Sequence, residues 1–365
     1  MGMSSSGLTN REYLPGINVL RGLLSFVVLL WHYQHFWLGT TGFDYTTQPF
    51  FKIFQHAYTR GYDAVPIFWL VSGVVLSNAY LRTLTRGQIG DYFVARLARL
   101  YPLHLITLFV VAVLQLFGRS AQIYGSNDFK HFFLNMLFVP WWGFEDGYSF
   151  NAPIWSVSIE IPVYALFALT IFRAPVRSRP LIIAGLIGVL TVIMNVEFVQ
   201  TDQLGLKPEF IRCALYFFVG VAVHHFHRSQ RPSLDTALLV VSGLALFILA
   251  SRPSSVLLLT ATASASFSIS LGRVMPYLGS GPLKVFGDLT YSVFLWHVPV
   301  QICIRWILIQ SQLENRYFTS PLLLFVYIGS TYLIGYFSHR FIEEPLRRNL
   351  RQLSCRSRRA ASRAT

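Results

Sequence analysis

The sequence predicts an all-α fold, a polytopic integral membrane bundle of about ten transmembrane helices with both termini cytoplasmic. Three observations predict it. Hydrophobic residues fill 53% of the 365 positions and charged residues only 13%, against roughly 25% charged in an ordinary water-soluble domain, and the mean hydropathy is +0.49. Apolar runs of about 17 to 25 residues, the length a helix needs to cross the hydrocarbon core, recur between Ile17 and His339. The basic residues between those runs fall on alternate connections, as the positive-inside rule requires.

The polar stretch Met1 to Asn10 leads straight into the first apolar run without a small-residue cleavage site, so the first helix is expected to act as its own insertion signal. Spans are predicted near residues 17–38, 64–81, 99–117, 153–173, 181–197, 210–224, 235–250, 255–272, 289–310 and 321–339. The apolar segment Phe132 to Trp142 is too short to cross and reads as a re-entrant or interfacial piece.

With the N-terminus inside, Arg82, Arg86, Arg96 and Arg99, then Arg173, Arg177 and Arg179, then Arg228 and Arg231, then Arg273 and Lys284 all fall on the cytoplasmic side. Counting Phe132 to Trp142 as a span would put the Arg-rich C-terminal segment outside, against the rule. The chain therefore reads as one membrane domain over residues 1–345, followed by a basic cytoplasmic tail over 346–365 that is expected to be disordered.

Eight of the thirty basic residues lie between Arg340 and Arg363. Membrane topology thus accounts for the formal charge of +14 without a nucleic-acid partner. The eight Trp, 18 Tyr and 31 Phe suit interfacial aromatic belts. Cys213, Cys303 and Cys355 have neither disulfide nor zinc spacing. His224, His225 and His227 sit at the cytoplasmic end of a helix without matching carboxylates or cysteines, so no metal is expected. No Gly-rich phosphate loop and no Gly-x-Ser-x-Gly elbow occurs.

An ionisable side chain at bilayer depth costs roughly 2.5 to 3.5 kcal/mol, which makes each one a functional candidate. Arg21 and His32 are eleven residues apart on the first helix, within about 20° of whole turns and some 16 Å apart on one face. Snorkelling of Arg21 and helix packing by His32 would explain them equally well. Glu160 in Trp155-Ser156-Val157-Ser158-Ile159-Glu160 lies roughly 10 Å deep in the fourth span, level with His32. A carboxylate at that level would orient and charge an imidazole base, or would simply form a structural pair with it. His297 lies roughly 12 Å into the ninth span and reads as a positioning residue. Arg96 and Arg99, one turn apart, have the guanidinium chemistry that binds phosphates, although the positive-inside rule alone would place them there.

Together these segments resemble the acyltransferase-3 family of integral membrane acyltransferases over nearly the whole chain. Leu20-Arg21-Gly22 followed by His32 is similar to the family's first-helix arginine and histidine. Asp63 to Gly73, with Phe68-Trp69-Leu70-Val71-Ser72-Gly73, resembles its second-helix segment, and Arg96 to Pro102 its Arg-x-x-Arg-x-x-Pro turn. Trp155 to Glu160, Tyr291 to His297 and Glu343-Glu344-Pro345 resemble its Trp-Ser-x-Ser-x-Glu, Tyr-Ser-x-x-x-Trp-His and closing Glu-x-Pro motifs.

The resemblance implies transfer of an acyl group, acetyl above all, from a coenzyme A thioester to a hydroxyl of a carbohydrate or lipid-linked glycan, such as an exopolysaccharide or lipopolysaccharide. His32 and Glu160 are then the expected catalytic pair. Arg21, Arg96 and Arg99 are the expected donor-binding residues, and Asp63, Ser72, Trp155, Ser158, His297 and Glu343 line the substrate cavity. Acetyl-CoA enters as a donor substrate, with no permanently bound cofactor. Membrane lipids are the other expected partners, homo-oligomerisation is left open, and the location implied is the bacterial inner membrane. The esterase-like domain fused to some members is not expected here, so a later transfer step would use this domain alone or a partner. A proton-coupled transporter or flippase is the competing reading, because buried His and Glu also suit transport. A non-catalytic assembly subunit is a second alternative, and it leaves the buried polar set without a task.

Overall fold

A computed structural model describes residues 12–38, 43–81, 89–118, 121–195, 207–249, 256–313 and 317–350. Arg82, Arg86, Cys355 and the tail beyond Leu350 lie outside them. Among the described residues there is no strand. The helices run α1 (Pro15–His32), α2 (Phe51–Arg60), α3 (Ala64–Tyr80), α4 (Ile89–Phe117), α5 (Phe129–Met136), α6 (Trp155–Ser158), α7 (Glu160–Arg173) and α8 (Arg179–Met194), then α9 (Pro208–Ser229), α10 (Asp235–Leu249), α11 (Leu257–Val274), α12 (Gly281–Asp288), α13 (Thr290–Gln310) and α14 (Pro321–Ser338). Short 3-10 turns join several of them, and a π turn, His339–Glu343, follows α14.

Ten stretches of the described residues are long and apolar enough to cross a membrane, which makes the chain an integral multi-pass protein. Their positions follow the expected spans, with three differences. The second stretch begins at Phe51, because α2 leads through the turn Gly61–Asp63 into α3. α2 carries Lys52, Gln55, His56 and Arg60 and has no apolar run to reveal it. The third begins at Ile89, so Arg96 and Arg99 sit inside a 29-residue helix rather than in a connection. The helix extends there because Tyr92, Ala95 and Ala98 bury a helical stripe, and Pro102 is accommodated within it. The last stretch continues through the π turn to Leu350, which makes residues 346–350 of the expected tail helical. α5 has eight residues, about 12 Å of helix, too short to span, as its sequence predicts.

The chain folds as two compact units. The first comprises described residues within Met1–Leu24, Asp63–Gly87 and Ile159–Asp288. Its helices meet through glycine. A Cβ on Gly73 of α3 would lie 1.9 Å from the Phe217 carbonyl oxygen, and one on Gly220 of α9 would lie 1.9 Å from that of Leu70. Without side chains at these points the two backbones approach closely, the usual device for helix packing in lipid. Gly16 of α1 does the same against Ser268 of α11, where a Cβ would lie 1.8 Å from the carbonyl oxygen. The Asn18 amide ties α1 to α12 by donating to the Lys284 carbonyl (3.0 Å) and to Asp288 Oδ1 (3.1 Å). α8 and α10 expose Leu181, Val189, Val192, Val240, Leu244 and Phe247, a surface suited to lipid rather than water.

The second unit comprises described residues within Ser25–Tyr62, Gln88–Ser158 and Leu289–Thr365. Its core gathers Leu29, Leu30, Tyr33, Phe36, Tyr58, Val293, Phe318 and Tyr327, and a second cluster joins Leu108, Val111, Phe150, Val298 and Ile302. The buried hydroxyl of Tyr33 finds a partner in the Phe318 carbonyl (3.0 Å). The Asn151 amide donates to Thr107 Oγ1 of α4 (3.0 Å) and the Leu295 carbonyl of α13 (2.8 Å). In hydrocarbon such polar groups must be satisfied internally, and their bonds fix the helices they join.

Candidate active site

In the second unit α1 ends at His32 and its chain tightens into the 3-10 turn Tyr33–Trp37. His32 is buried. Its Nδ1–H donates to the Val28 carbonyl one turn back (2.9 Å), which assigns the proton to Nδ1 and leaves Nε2 as the acceptor. His297 of α13 is held the same way, with Nδ1–H donating to the Phe294 carbonyl (2.6 Å). The two rings meet edge to face at 4.6 Å. The 3-10 turn brings His35 to 5.1 Å from His32, Trp31 packs on His32 at 4.7 Å, and Tyr124 lies 5.7 Å from His35. Burial, and after it the neighbouring Tyr148, push the Tyr124 phenol up, so its O–H stays protonated.

Five residues earlier on α13, a second polar group forms in the same unit. Ser292 Oγ donates to Glu343 Oε2 (2.7 Å), and His339 Nδ1 reaches the same oxygen (3.1 Å). Glu343 is buried in the π turn, Arg99 is within its electrostatic reach, and the Tyr291 hydroxyl donates to the Leu100 carbonyl. The Arg96–Pro102, Tyr291–His297 and Glu343–Pro345 segments, far apart in sequence, therefore converge. Arg96 is buried on α4, one turn before Arg99.

Trp155 and Ser158 serve the adjoining loop of this unit. Ser158 Oγ donates to the Pro140 carbonyl, the Trp142 indole N–H reaches the Ser158 carbonyl at 3.4 Å, and Trp141 packs against Trp155 at 5.8 Å.

Glu160 belongs to the first unit, where it opens α7 and is buried. Its carboxylate accepts from Ser72 Oγ (3.3 Å to each oxygen) and from the Tyr164 hydroxyl one turn on. Asp63 is buried at the start of α3, within electrostatic reach of Tyr216. Arg21 is half-buried on α1, within reach of Tyr13, whose phenol is pushed up chiefly by burial and then by Asp288. A cleft of about 810 Å³ opens in this unit among Tyr13, His227, Arg228, Gln230, Asp235 and Arg273. Arg273 crosses it to the His227 carbonyl (2.9 Å) and Asp235 Oδ1 (3.1 Å). Among the described residues no group of three His, Cys, Asp or Glu side chains is arranged to hold a metal.

Six of the eleven expected residues therefore gather in three places. His32 and His297 come together, Arg99 and Glu343 come together, and Ser72 and Glu160 come together. His32 and Glu160 belong to different units, and each has the surroundings given with its own. His35, Gln301, Arg305, Tyr164 and His339 escaped the sequence reading. The available signal was the helical spacing of His297, Gln301 and Arg305 in an otherwise apolar span.

A ten-span helical membrane protein that holds imidazoles and carboxylates inside it is an integral membrane protein with candidate functional groups at bilayer depth. The acyltransferase domain family matches residues 14–340, and the chain belongs to that family, acyltransferase-3. It is 24% identical over 378 aligned residues, 92% of this chain and 58% of the relative, to an O-acetyltransferase OatA of Staphylococcus aureus. It is 23% identical over 382 residues, 93% of this chain and 57% of the relative, to a peptidoglycan O-acetyltransferase OatA of Listeria monocytogenes. A shorter match, 28% over 152 residues, covers 40% of this chain and 38% of an acyltransferase MdmB of Streptomyces mycarofaciens. The chain spans about 58% of the length of the first of these relatives. No solved structure matches it significantly.

Proposed function

We propose that this protein is a membrane O-acetyltransferase that moves an acetyl group from acetyl-coenzyme A to a carbohydrate hydroxyl. The single observation that carries this reading is the His32 imidazole, buried beside His297 with its proton fixed on Nδ1. Nε2 is then a neutral base in a site shielded from bulk water. His32 Nε2 takes the proton of the acceptor hydroxyl as its oxygen attacks the thioester carbonyl. The C–S bond breaks as the C–O bond forms, and the imidazolium returns the proton to the leaving thiolate. The proton balance closes without a second acid. His297 and Trp31 both pack on the base.

Arg21, Arg96 and Arg99 are assigned to the donor's phosphates, supported by the fit of guanidinium forks to phosphate. Asp63, Ser72, Trp155 and Ser158 are assigned to the walls of the substrate cavity. A glycan acceptor is supported by the likeness to the Listeria peptidoglycan O-acetyltransferase, and the bacterial sources of the relatives support a bacterial plasma membrane as its place.

The test is transfer of labelled acetyl from acetyl-CoA to endogenous glycan in membranes carrying the protein, His32→Ala or Glu160→Gln. Loss of labelling in His32→Ala supports the reading. Undiminished labelling in His32→Ala overturns the mechanism whatever Glu160→Gln does, and movement of glycan across the membrane without acetylation would instead establish a transporter.

A further inference from the structure

We propose that Gln301 and Arg305 are positioning residues of the His32 centre, an inference that rests on the reading of His32 as the base. His297, Gln301 and Arg305 are spaced by four residues on α13 and so form one stripe along its face. Each meets a successive part of the segment that carries the base. His297 packs on the His32 ring. Gln301 Nε2 donates to the His32 carbonyl (2.8 Å). Arg305 is buried, and its guanidinium donates to three carbonyls within four residues, Nη1 to His35 (2.5 Å) and Phe36 (2.8 Å) and Nη2 to Leu38 (3.0 Å). Its Nε reaches the Ala121 carbonyl at 3.4 Å.

The His32, His35, Phe36 and Leu38 carbonyls lie at and just beyond the ends of α1 and its 3-10 turn, where intrahelical partners run out, and that of His35 is shared with the Leu38 N–H (3.3 Å). They also carry the negative end of the helix dipole, which a cation complements. A guanidinium, with five donors in a planar fork, can serve several spread carbonyls at once, more than the three donors of an ammonium allow. The consequence for His32 is a double clamp. Its ring is held by Val28 and its carbonyl by Gln301, so both ends of the residue are fixed. Arg305 fixes the tight 3-10 turn beyond it, which is what returns His35 to the side of His32. Apolar packing alone would anchor the two helices without burying a charge at this depth. The polar stripe adds orientation.

The experiment uses the full chain in reconstituted membranes, with labelled acetyl-CoA as donor and endogenous glycan as acceptor. It compares Gln301→Leu, Arg305→Lys and Arg305→Gln with His32→Ala, reading kcat, KM for acetyl-CoA, the pH profile of kcat, and thermal unfolding. Expected is a kcat about 10- to 100-fold lower per folded molecule, the scale of a misplaced catalytic group. KM stays unchanged, and the acidic limb of the pH profile shifts in Gln301→Leu and Arg305→Lys. Arg305→Lys, which keeps the charge, is expected to retain more activity than Arg305→Gln. The inference is overturned if both conservative variants fold and keep kcat and the pH limb while His32→Ala abolishes transfer. It is also overturned if activity falls only in proportion to the folded protein recovered, because Gln301 and Arg305 are then anchors. Full transfer by His32→Ala overturns the underlying reading as well, since no base would remain to be positioned.

Discussion

The imidazoles of His32 and His297 lie edge to face at 4.6 Å, each donating its Nδ1–H to a carbonyl of its own helix. Both rings thus leave Nε2 unengaged by these bonds, and they are expected to act as one unit rather than as two independent groups. His32→Ala is expected to lower acetyl transfer by about 10²- to 10⁴-fold, the usual contribution of a general base. Adding His297→Ala is expected to cost little more, because residues acting as a unit are strongly non-additive. Rates of labelled acetyl transfer at equal folded protein check this. A double variant whose loss is the product of the two single losses counts against a shared centre.

Much of this was legible in the sequence, and the physical reason is the bilayer. A span must be long and apolar, so the crossing helices announced themselves, and the short α5 was recognisable as too short. α2 was hidden because Lys52, Gln55, His56 and Arg60 interrupt its apolar face. The start of α4 was hidden because Arg96 and Arg99 resembled a connection. At the site, His32 and His297 stood out as titratable groups at depth. The partners of Gln301 and Arg305 are backbone carbonyls, which carry no residue-type signal, and those of His35 and Phe36 lie on the 3-10 turn that follows the end of α1 at His32. Glu343 read equally as part of an interfacial salt-bridge cluster, and only the π turn reveals that it is buried beneath Ser292.

Glu343 is expected to act on stability through the groups that share its oxygen. Glu343→Gln keeps a carbonyl oxygen to accept from Ser292, whereas Glu343→Ala leaves the buried Ser292 hydroxyl and the His339 ring without it. Glu343→Ala should therefore destabilise by about 1 to 3 kcal/mol, the cost of orphaning buried polar groups, and Glu343→Gln by less. Thermal unfolding in detergent ranks the two, and an equal or reversed order would show that the bonds from Ser292 and His339 are not what matters.

The glycine contacts of the first unit predict opposite signs for the same substitution. Gly73→Ala and Gly220→Ala push a methyl group to 1.9 Å from a backbone oxygen, which only a shift of α3 against α9 can relieve. Each should cost about 1 to 3 kcal/mol, as overpacking does. A Cβ on Gly185 or Gly188 of α8 meets nothing within 4 Å. There, alanine should stabilise by roughly 0.4 to 1 kcal/mol, because it narrows the unfolded chain's freedom. Unfolding midpoints of the four variants test the contrast, and a uniform response across them would refute the close approach of α3 and α9.

Asp128 makes the start of α5 sensitive to acid. Its Oδ1 accepts from the His131 backbone N–H (2.9 Å) and from Nδ1–H of the His131 ring (2.7 Å), while His131 Nε2 accepts from the Asp146 N–H (3.2 Å). The backbone bond first, and the ring bond after it, hold the exposed carboxyl below its ordinary range. A carboxyl depressed in the folded state contributes stability that is fully present above its unfolded value of about 3.9 and is lost as pH falls through the folded value. Amide exchange within α5 should therefore be flat above about pH 5 once corrected for intrinsic rates, and protection should fall below about pH 4. Asp128→Asn, which retains a capping oxygen but does not titrate, should keep partial protection and lose the acid dependence. Loss of protection already near pH 6, or an unchanged acid limb in the Asn variant, would assign the sensitivity to a group other than Asp128.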